Sequence, residues 1–356
     1  MAAPRVERTL EVGPLELLCG GKLERVEQFV SLEGELRDGG ANAVLVPHAL
    51  TGSAQVRDWW DGLAGPGKLL DPSEACIIGI NVLGGCYGST GPASPAPDGK
   101  PYGSRWPLVT VRDMVEAQYR ALRALGVRRL AAVVGGSLGG MQALEWALDH
   151  PEMVEHAIPI GAYDHFSAFG IAYNRVALEA IRLDGNFRNG DYYDGAAPMR
   201  GLKLARKIAM ITYKSDELFT QRFERRPDRK GENPFRSLGE RFDVEGYLDE
   251  QGDRLTSRFD ANTYIALSRA MDLFETRDRK VKDTRPKLTF VGISSDILFL
   301  PQYVRAASER MRERGFDSQY LELVSDHGHD AFLADTGDLA RLLRPHVPAF
   351  LTATAP

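Results

Sequence analysis

The sequence predicts an α/β fold in which a mostly parallel sheet is interrupted by a helical insertion. Short apolar runs rich in Val, Ile and Leu alternate with amphipathic helical patterns, as expected for strands buried on both faces of a parallel sheet. The alternation stops at residue 164 and resumes near residue 286. The chain has 356 residues. At about 150 residues per domain, this length fits two domains or one domain with an insertion.

Composition narrows the class of protein. The chain is 43% hydrophobic and 26% charged, close to the average for soluble globular proteins. Its formal net charge of −5 argues against nucleic-acid binding, which usually needs a basic domain. Residues 1–13 lack an apolar stretch, so we do not expect them to act as a secretory signal. No window reaches the length of about 18 apolar residues that a membrane span needs. Three cysteines, an odd and sparse set, fit a reducing compartment. We therefore expect a cytoplasmic protein without nucleic-acid or membrane partners.

The elements of the core follow one another in a regular order. The first forty residues alternate apolar and polar positions, which predicts antiparallel strands. Buried strands are then predicted at 43–50, 75–85, 130–136, 156–162 and 287–294. Helical patterns occur in the segment 111–127, where Gly126 ends the predicted helix, and in the segment 139–154, where the predicted helix ends before Pro151. This alternation implies parallel strands joined by right-handed crossovers.

Residues 164–285 form the predicted insertion. They carry long helical patterns, and their one candidate strand, at 205–213, could equally be a helix. Within them, 200–236 holds eleven Lys or Arg against five Asp or Glu, so the segment is locally basic. We predict a helical lid over a discontinuous core, which is formed by 1–163 together with 286–356.

The strongest local motif is Gly135-Gly136-Ser137-Leu138-Gly139, which fits G-x-S-x-G between a predicted strand and a predicted helix. That context is typical of the nucleophile elbow of the α/β-hydrolase fold, a tight turn that needs small flanking residues. The N–H of Leu138 and the positive end of the helix would help to stabilise an oxyanion. The alternative is a glycine-rich turn with an N-capping serine. The flanking elements favour Ser137 as a nucleophile.

A nucleophilic serine needs a base and an acid that orients the base. In the α/β-hydrolase fold the acid and then the histidine follow the serine in the chain. His327 and His329 follow a predicted late strand, and we favour His329 because Gly328 frees the backbone before it. Asp296 ends the strand run before them and is the candidate acid. The alternatives are a metal pair for the histidines and a simple turn for Asp296. With no further ligand cluster in the sequence, we expect no metal.

A second oxyanion donor usually comes from the loop after an early strand. Residues 43–53 end such a strand, and the backbone N–H of Leu50 is our candidate. We expect His48 and Thr51 to shape this loop.

Seven motifs resemble the homoserine O-acetyltransferase family, a branch of amino-acid acyltransferases with the α/β-hydrolase fold. They are HALTG (48–52), NVLGGCYGSTGP (81–92), VTVRDMVEAQ (109–118), VVGGSLGGMQALEWAL (133–148), RFDANTYIALSRAMD (258–272), SSDILF (294–299) and GHDAFL (328–333). The resemblance runs in order from about residue 10 to residue 345.

The resemblance implies a ping-pong transfer in methionine biosynthesis. Ser137 would take an acyl group from acetyl-CoA, a cosubstrate rather than a tightly bound cofactor, and the hydroxyl of L-homoserine would then attack the acyl-serine. The resemblance also assigns Arg206 to the substrate carboxylate, with Tyr213 beside it, and Asp330 to the substrate amino group. It further implies a homodimer formed through the lid.

Departures from the family pattern leave part of the chemistry open. Leu138 stands where Met is common, Tyr87 where Gln is common, and Arg222-Phe223-Glu224-Arg225 where R-F-G-R is usual. Tyr87 follows a glycine-rich loop expected near the acyl pocket. The donor could therefore be succinyl-CoA, and the acceptor could be serine. An esterase with the same three residues is the alternative from outside this class.

Overall fold

One eight-stranded sheet forms the centre of the computed structural model, which describes residues 5–348. The strand order is β1-β2-β4-β3-β5-β6-β7-β8. The pairs β1–β2 and β2–β4 are antiparallel and all the others are parallel. The strands are β1 (Arg5–Glu16), β2 (Lys22–Glu33), β3 (Ala43–Leu45), β4 (Cys76–Ile80), β5 (Ala132–Gly136), β6 (His156–Ile160), β7 (Lys287–Ile293) and β8 (Ser318–Leu323). This topology confirms the antiparallel start and the mostly parallel sheet.

Helices fill the connections between the strands. They are α1 (Val56–Trp59), α2 (Val111–Ala124), α3 (Leu138–Asp149), α4 (Ala168–Arg182), α5 (Met199–Tyr213), α6 (Asp216–Phe223), α7 (Asp243–Thr256), α8 (Ala261–Asp272), α9 (Pro301–Glu313), α10 (Ala331–Ala334) and α11 (Thr336–Leu343). Within residues 5–348, none of them combines the length and the apolar character that crossing a membrane would require.

The central strands are buried on both faces. Ile78 and Val133 belong to one apolar core, which α2, α3 and α9 cover. The adjacent residues Ile77 and Val134 belong to a second core, which includes side chains of α1 and α11. Because successive side chains of a strand point to opposite faces, a strand enclosed in this way must be apolar throughout. This is the physical origin of the continuous apolar runs in the sequence.

Five helices, α4 to α8, lie between β6 and β7. Helix α5 packs against α4 and α7, and α4 packs against α8. The ambiguous segment 205–213 lies within α5, so the helical alternative is the right one. Met210, Phe223 and Tyr247 form a small apolar cluster of their own among these helices.

A buried aspartate ties together the points where the chain leaves the core after β6 and returns before β7. The Asp164 carboxylate accepts hydrogen bonds from Arg310 Nε at 2.6 Å and Nη2 at 2.7 Å, and contacts His165 Nδ1 at 2.9 Å. Its carbonyl accepts from both the N–H and the hydroxyl of Thr276. Burial alone would raise the pKa of Asp164, but the bonds from His165 and Arg310 outweigh it and lower the pKa to about 2. Asp164 thus joins both ends of the helical segment to each other and is itself bonded to α9.

Candidate active site

Ser137 lies in a strained turn between β5, which ends at Gly136, and α3, which begins at Leu138. Its φ of 59° and ψ of −124° are unusual for a residue with a side chain, and such strain is concentrated at functional sites. Its N–H donates to the carbonyl of Ile160 at 2.9 Å. Within residues 5–348 its side chain makes no capping hydrogen bond to α3, so the alternative of a plain N-capping serine does not apply.

Close backbone contacts explain the glycines around Ser137. A Cβ on Gly135 would lie 2.5 Å from the carbonyl oxygen of Gly139. A Cβ on Gly139 would lie 2.2 Å from the carbonyl oxygen of Pro47. Both distances are shorter than any normal carbon–oxygen contact, so only glycine fits. The turn therefore brings β5, α3 and the loop after β3 into direct contact.

His329 and Asp296 form a buried pair beside this turn. His329 Nδ1 lies 2.6 Å from Asp296 Oδ2, and the two residues are 2% exposed each. The other oxygen, Asp296 Oδ1, accepts from the N–H groups of Leu298 and Phe299 at 2.8 Å each. A carboxylate held in this way makes Nδ1 the protonated nitrogen of the neutral ring. Nε2 then carries the lone pair and can accept a proton.

The surroundings of His329 raise its pKa and orient its ring. Burial lowers its pKa, but the charge and hydrogen bond of Asp296 outweigh burial, so that the net pKa is raised. Asp330 raises the pKa further, and Lys214 lowers it. The imidazole stacks on Phe299 at 4.8 Å between ring centroids. Nε2 is buried and has no hydrogen-bond partner among residues 5–348, so the proton-accepting atom is free for a substrate group or for the Ser137 hydroxyl.

The ends of neighbouring parallel strands bring these residues together. Ser137 follows β5, Gly161 follows β6 and Asp296 follows β7. Gly161 lies against the His329 ring, and a Cβ there would be 3.2 Å from Cε1. Ligands of α/β proteins typically bind at the carboxyl ends of the strands, where these residues lie.

Both candidate oxyanion donors lie at this edge. Leu138 is the first residue of α3, where a backbone N–H has no partner within the helix. Leu50 is 6% exposed and lies in the loop that contacts Gly139 through Pro47. His48, in the same loop, has a pKa lowered to about 4 by burial, so it is neutral near pH 7. Its Nδ1 contacts the carbonyl of Ala49, and its Nε2 accepts from the N–H of Val82.

A narrow cavity connects Ser137 with the helices above it. Leu50 and Ser137 line its floor, Phe166 and Leu298 lie in loops beside it, and side chains of α4, α5 and α8 line the rest. These helical side chains are Tyr173, Asn174, Ala177, Ile208, Ala209, Thr212, Tyr213, Tyr264 and Met271. The serine is 7% exposed. A group that reacts here is therefore largely separated from bulk water.

Arg206 and Tyr213 lie together on α5. The guanidinium carbon of Arg206 is 5.6 Å from the centre of the Tyr213 ring. Arg206 Nε is buried and has no acceptor among residues 5–348. Burial raises the pKa of the Tyr213 hydroxyl to about 12, against the opposing charge of Arg206, so the phenol stays protonated. Tyr213 is also close to His329, with 5.7 Å between ring centroids. An unpaired guanidinium next to the reacting edge suits a carboxylate ligand.

Asp330 already has a cationic partner, which the sequence did not reveal. Lys214 Nζ lies 2.9 Å from Asp330 Oδ2, and both side chains are mostly buried. Lys214 directly follows α5, and its backbone packs against Gly328 of the histidine loop. No local motif marks this lysine, because its partner lies in a distant part of the chain. One carboxylate oxygen of Asp330 is thus occupied by Lys214.

The remaining residues singled out in the sequence lie around this site. His327 Nδ1 contacts Asp335 Oδ2 at 2.9 Å, so the two neighbouring histidines turn to different carboxylates. The Tyr87 hydroxyl accepts from Arg258, whose guanidinium also donates to the Thr51 carbonyl at 2.9 Å. Tyr87 therefore braces the Leu50 loop without lining the cavity. Arg222 packs over the ring of Tyr247 within the helical segment.

The fold and the serine turn together define the class of protein. A family model for the alpha/beta hydrolase fold matches residues 42–336. Among solved structures, that of esterase E22 has a TM-score of 0.86 at 26% identity, covering 98% of this chain and 100% of that one. The homoserine O-acetyltransferase of Bacillus anthracis also has a TM-score of 0.86, at 24% identity and 99% coverage of both chains, and supports the fold.

Curated relatives narrow the class further, and the chain belongs to the homoserine O-acetyltransferase family. The homoserine O-acetyltransferase of Carboxydothermus hydrogenoformans is 43% identical, over 92% of this chain and 91% of that protein. The one from Symbiobacterium thermophilum is 45% identical, over 90% and 88%. A homoserine O-succinyltransferase from Burkholderia ambifaria is 42% identical, over 94% and 93%.

Proposed function

We propose that this protein transfers an acetyl group from acetyl-CoA to the side-chain hydroxyl of L-homoserine, as a step of methionine biosynthesis. One observation carries the proposal. The strained Ser137 lines a cavity under helix α5, which carries Arg206, and the His329–Asp296 pair lies beside the serine turn, at the ends of the adjacent strands. Among residues 5–348, the buried Nε of Arg206 has no acceptor. Relatives at 42–45% identity over about 90% of the chain support the same activity.

In the first half-reaction Ser137 becomes acylated. Its Oγ attacks the thioester carbonyl while His329 Nε2 takes the hydroxyl proton. The negative charge on the former carbonyl oxygen is stabilised by the N–H groups of Leu50 and Leu138. Collapse of this intermediate breaks the carbon–sulfur bond. The proton on His329 passes to the departing CoA sulfur, which leaves as the thiol.

In the second half-reaction homoserine takes the place of CoA. Arg206, with Tyr213 beside it, binds the substrate carboxylate, and Asp330 accepts the substrate ammonium while it keeps its contact with Lys214. His329 Nε2 removes the proton of the side-chain hydroxyl, whose oxygen attacks the acyl-serine ester. The second tetrahedral intermediate uses the same two N–H groups. Its collapse releases O-acylhomoserine and returns the proton to Ser137.

The identity of the acyl donor is the finer part of this proposal. Acetyl-CoA is our choice, and succinyl-CoA is the alternative because a succinyltransferase is about as similar as the acetyltransferases. Serine is the alternative acceptor. Hydrolysis of esters is the second candidate function, which the likeness to esterase E22 favours. Burial of Ser137 under helices that carry ligands for a zwitterion argues for an amino-acid acceptor over water.

The same proposal includes the organisation of the chain and its assembly. We assign residues 1–163 and 286–356 to one catalytic core and 164–285 to its lid. A homodimer through the lid is supported by exposed apolar side chains on its outer helices, Phe169 and Val176 on α4 and Leu204 and Ile211 on α5. A cytoplasmic location fits the three free thiols.

The test is a thiol-release assay with each combination of donor and acceptor. The protein is supplied with acetyl-CoA or succinyl-CoA together with homoserine, serine or no acceptor. We expect fast CoA release with acetyl-CoA and homoserine only, and none in Ser137→Ala. Turnover that is equal with and without an acceptor would replace the transferase by a hydrolase. Unchanged turnover in Ser137→Ala would contradict the mechanism itself.

A further inference from the structure

A chain of three buried polar side chains links the nucleophile helix to the oxyanion loop. Trp146 Nε1 donates to Gln118 Oε1 at 2.9 Å, and Gln118 Nε2 donates to Gln142 Oε1 at 2.7 Å. Gln142 Nε2 then donates to the carbonyl of His48 at 3.3 Å and to that of Leu138 at 3.1 Å. All three side chains are fully buried, at 0% exposure. Buried polar groups are costly unless paired, and each of these is paired.

The direction of this chain is fixed by its first member. An indole N–H can only donate, so Gln118 must turn its oxygen to Trp146 and its NH2 group to Gln142. Gln142 must in turn offer its oxygen to Gln118. Its NH2 group, with two hydrogens, is then left for the two carbonyls. Trp146, one turn further along α3, thus determines the orientation of the Gln142 amide through Gln118.

The two carbonyls at the end of the chain belong to the segments that carry the oxyanion donors. Leu138 supplies one N–H itself, and His48 precedes the second donor, Leu50, by two residues. One amide group therefore ties both segments together. Gly139 also packs closely against the carbonyl of Pro47. This steric contact sets how near the two segments can come, but it does not hold them together.

We infer that Gln142 is a positioning residue that holds the N–H groups of Leu50 and Leu138 at the spacing an oxyanion requires. The inference rests on the proposed function, since it assigns these two groups to stabilisation of the tetrahedral intermediates. Gln142 acts through the loop and does not touch the substrate. Its loss should therefore weaken a transition-state interaction and leave the binding of both substrates unchanged.

The test compares Gln142→Met and Gln142→Glu with Gln28→Met. Methionine keeps the volume but cannot donate, and glutamate places a carboxylate against two carbonyls. Gln28 in β2 is also 0% exposed. Its Nε2 donates to the carbonyl of the neighbouring Glu27, so it controls for the loss of a buried amide. The kcat and KM for acetyl transfer to homoserine are measured in each, together with hydrolysis of p-nitrophenyl acetate and the thermal midpoint.

We expect both Gln142 variants to lose kcat by about tenfold or more, with KM within about twofold of wild type. Ester hydrolysis should fall in parallel, because it passes through the same oxyanion. Gln28→Met should keep kcat. Gln118→Met removes the group that orients Gln142 and should lower kcat by a smaller factor. It provides the test if the Gln142 variants do not fold.

Two results would overturn the inference. The first is a Gln142→Met protein with the kcat of Gln28→Met, and the second is a rise in KM that accounts for the whole loss of kcat/KM. Failure of the proposed function looks different: wild-type protein would then not transfer acetyl to homoserine. In that case the rates of p-nitrophenyl acetate hydrolysis in the Gln142 and Gln28 variants would still decide whether Gln142 positions the oxyanion donors.

Discussion

At the scale of the residue, one carboxylate orients the ring of His329 and raises its pKa. Two backbone N–H groups bind Oδ1 of Asp296 and so fix the plane of the carboxylate. Its other oxygen, Oδ2, then faces the imidazole of His329. The charge of Asp296 outweighs the burial that would otherwise lower the pKa of His329. In the mechanism we propose, the same charge would stabilise the protonated imidazole of each half-reaction.

Replacing Asp296 by Asn should disturb both the orientation and the pKa of His329. The amide can present its NH2 to Nδ1 and so select the wrong tautomer, and we expect kcat to fall by about 10³-fold or more. The pKa of His329 should also fall, since the raising charge is gone while burial remains. His329 must be neutral to act as a base, so the acidic limb of kcat/KM against pH should move to lower pH. An acidic limb that stays in place would contradict this assignment.

Arg206 gives a prediction limited to one half of the reaction. Arg206→Lys keeps the charge but loses the planar pair of donors, and we expect KM for homoserine to rise by about tenfold. The first turnover of CoA release, measured by stopped flow without homoserine, should not change. Arg200→Lys, an exposed position on the same helix, is the matched control. An equal loss in the CoA-release step would mean that Arg206 does not serve the acceptor.

At the scale of the element, the turn before α3 and the loop after β3 act as one unit. Ser137 can hold its strained conformation because Gly135 and Gly139 allow backbone to pack on backbone. The loop that carries Leu50 is fixed on its other side by His48, whose ring bridges Ala49 and Val82. The strained turn is thus held in place by the loop after β3, and that loop is held in turn by the segment that contains Val82.

Gly139→Ala should therefore act on function and stability together. The new Cβ meets a backbone oxygen, which cannot move without displacing the loop. We expect a loss of about 1–3 kcal/mol in the free energy of unfolding and a clear drop in kcat. Gly185→Ala is the control, since a Cβ there has no atom within 4 Å. Denaturant melts and steady-state kinetics measure both quantities, and a Gly139→Ala protein that matches the control would contradict the packing argument.

Sequence patterns predicted the strands and the serine turn well, but they did not predict the contacts between distant elements. Apolar runs and G-x-S-x-G are local, so the buried strands and the strained serine turn could be read directly. The helical state of 205–213 could not, because an apolar segment of that length suits either structure until its neighbours are known. The Lys214–Asp330 pair and the Gln118–Gln142 bond join distant segments, and no local spacing encodes them.

At the scale of the whole molecule, the position of the insertion explains the order of the site residues. Ser137 precedes the helical segment, and Asp296 and His329 follow it. The candidate site therefore forms only when the strands before and after this segment share one sheet, as they do here. Asp164 fastens this arrangement, because it bonds the exit after β6 to the return at Thr276 and to Arg310 of α9. The anchor is ionic and buried, which makes it sensitive to pH.

Asp164→Asn should destabilise the protein near pH 7 by about 1.5–3 kcal/mol, the range for hydrogen bonds to charged groups. The folded-state pKa of about 2 lies below the value near 3.9 expected for an unfolded aspartate. The stabilisation is therefore complete above about pH 4 and is lost as pH falls toward 2. Chemical denaturation from pH 7 downward should show the two proteins converging, and a constant gap would contradict the role of the charge.

The most direct test of the central claim is the mass of the protein after a pulse of acyl-CoA without acceptor. Ser137, which lines the floor of the narrow cavity, should carry one acyl group, and peptide mapping should place it on that residue. Addition of homoserine should remove the group and yield an equal amount of O-acylhomoserine, whereas Ser137→Ala should remain unlabelled. Transfer to homoserine by a protein that never carries the acyl group would contradict the account.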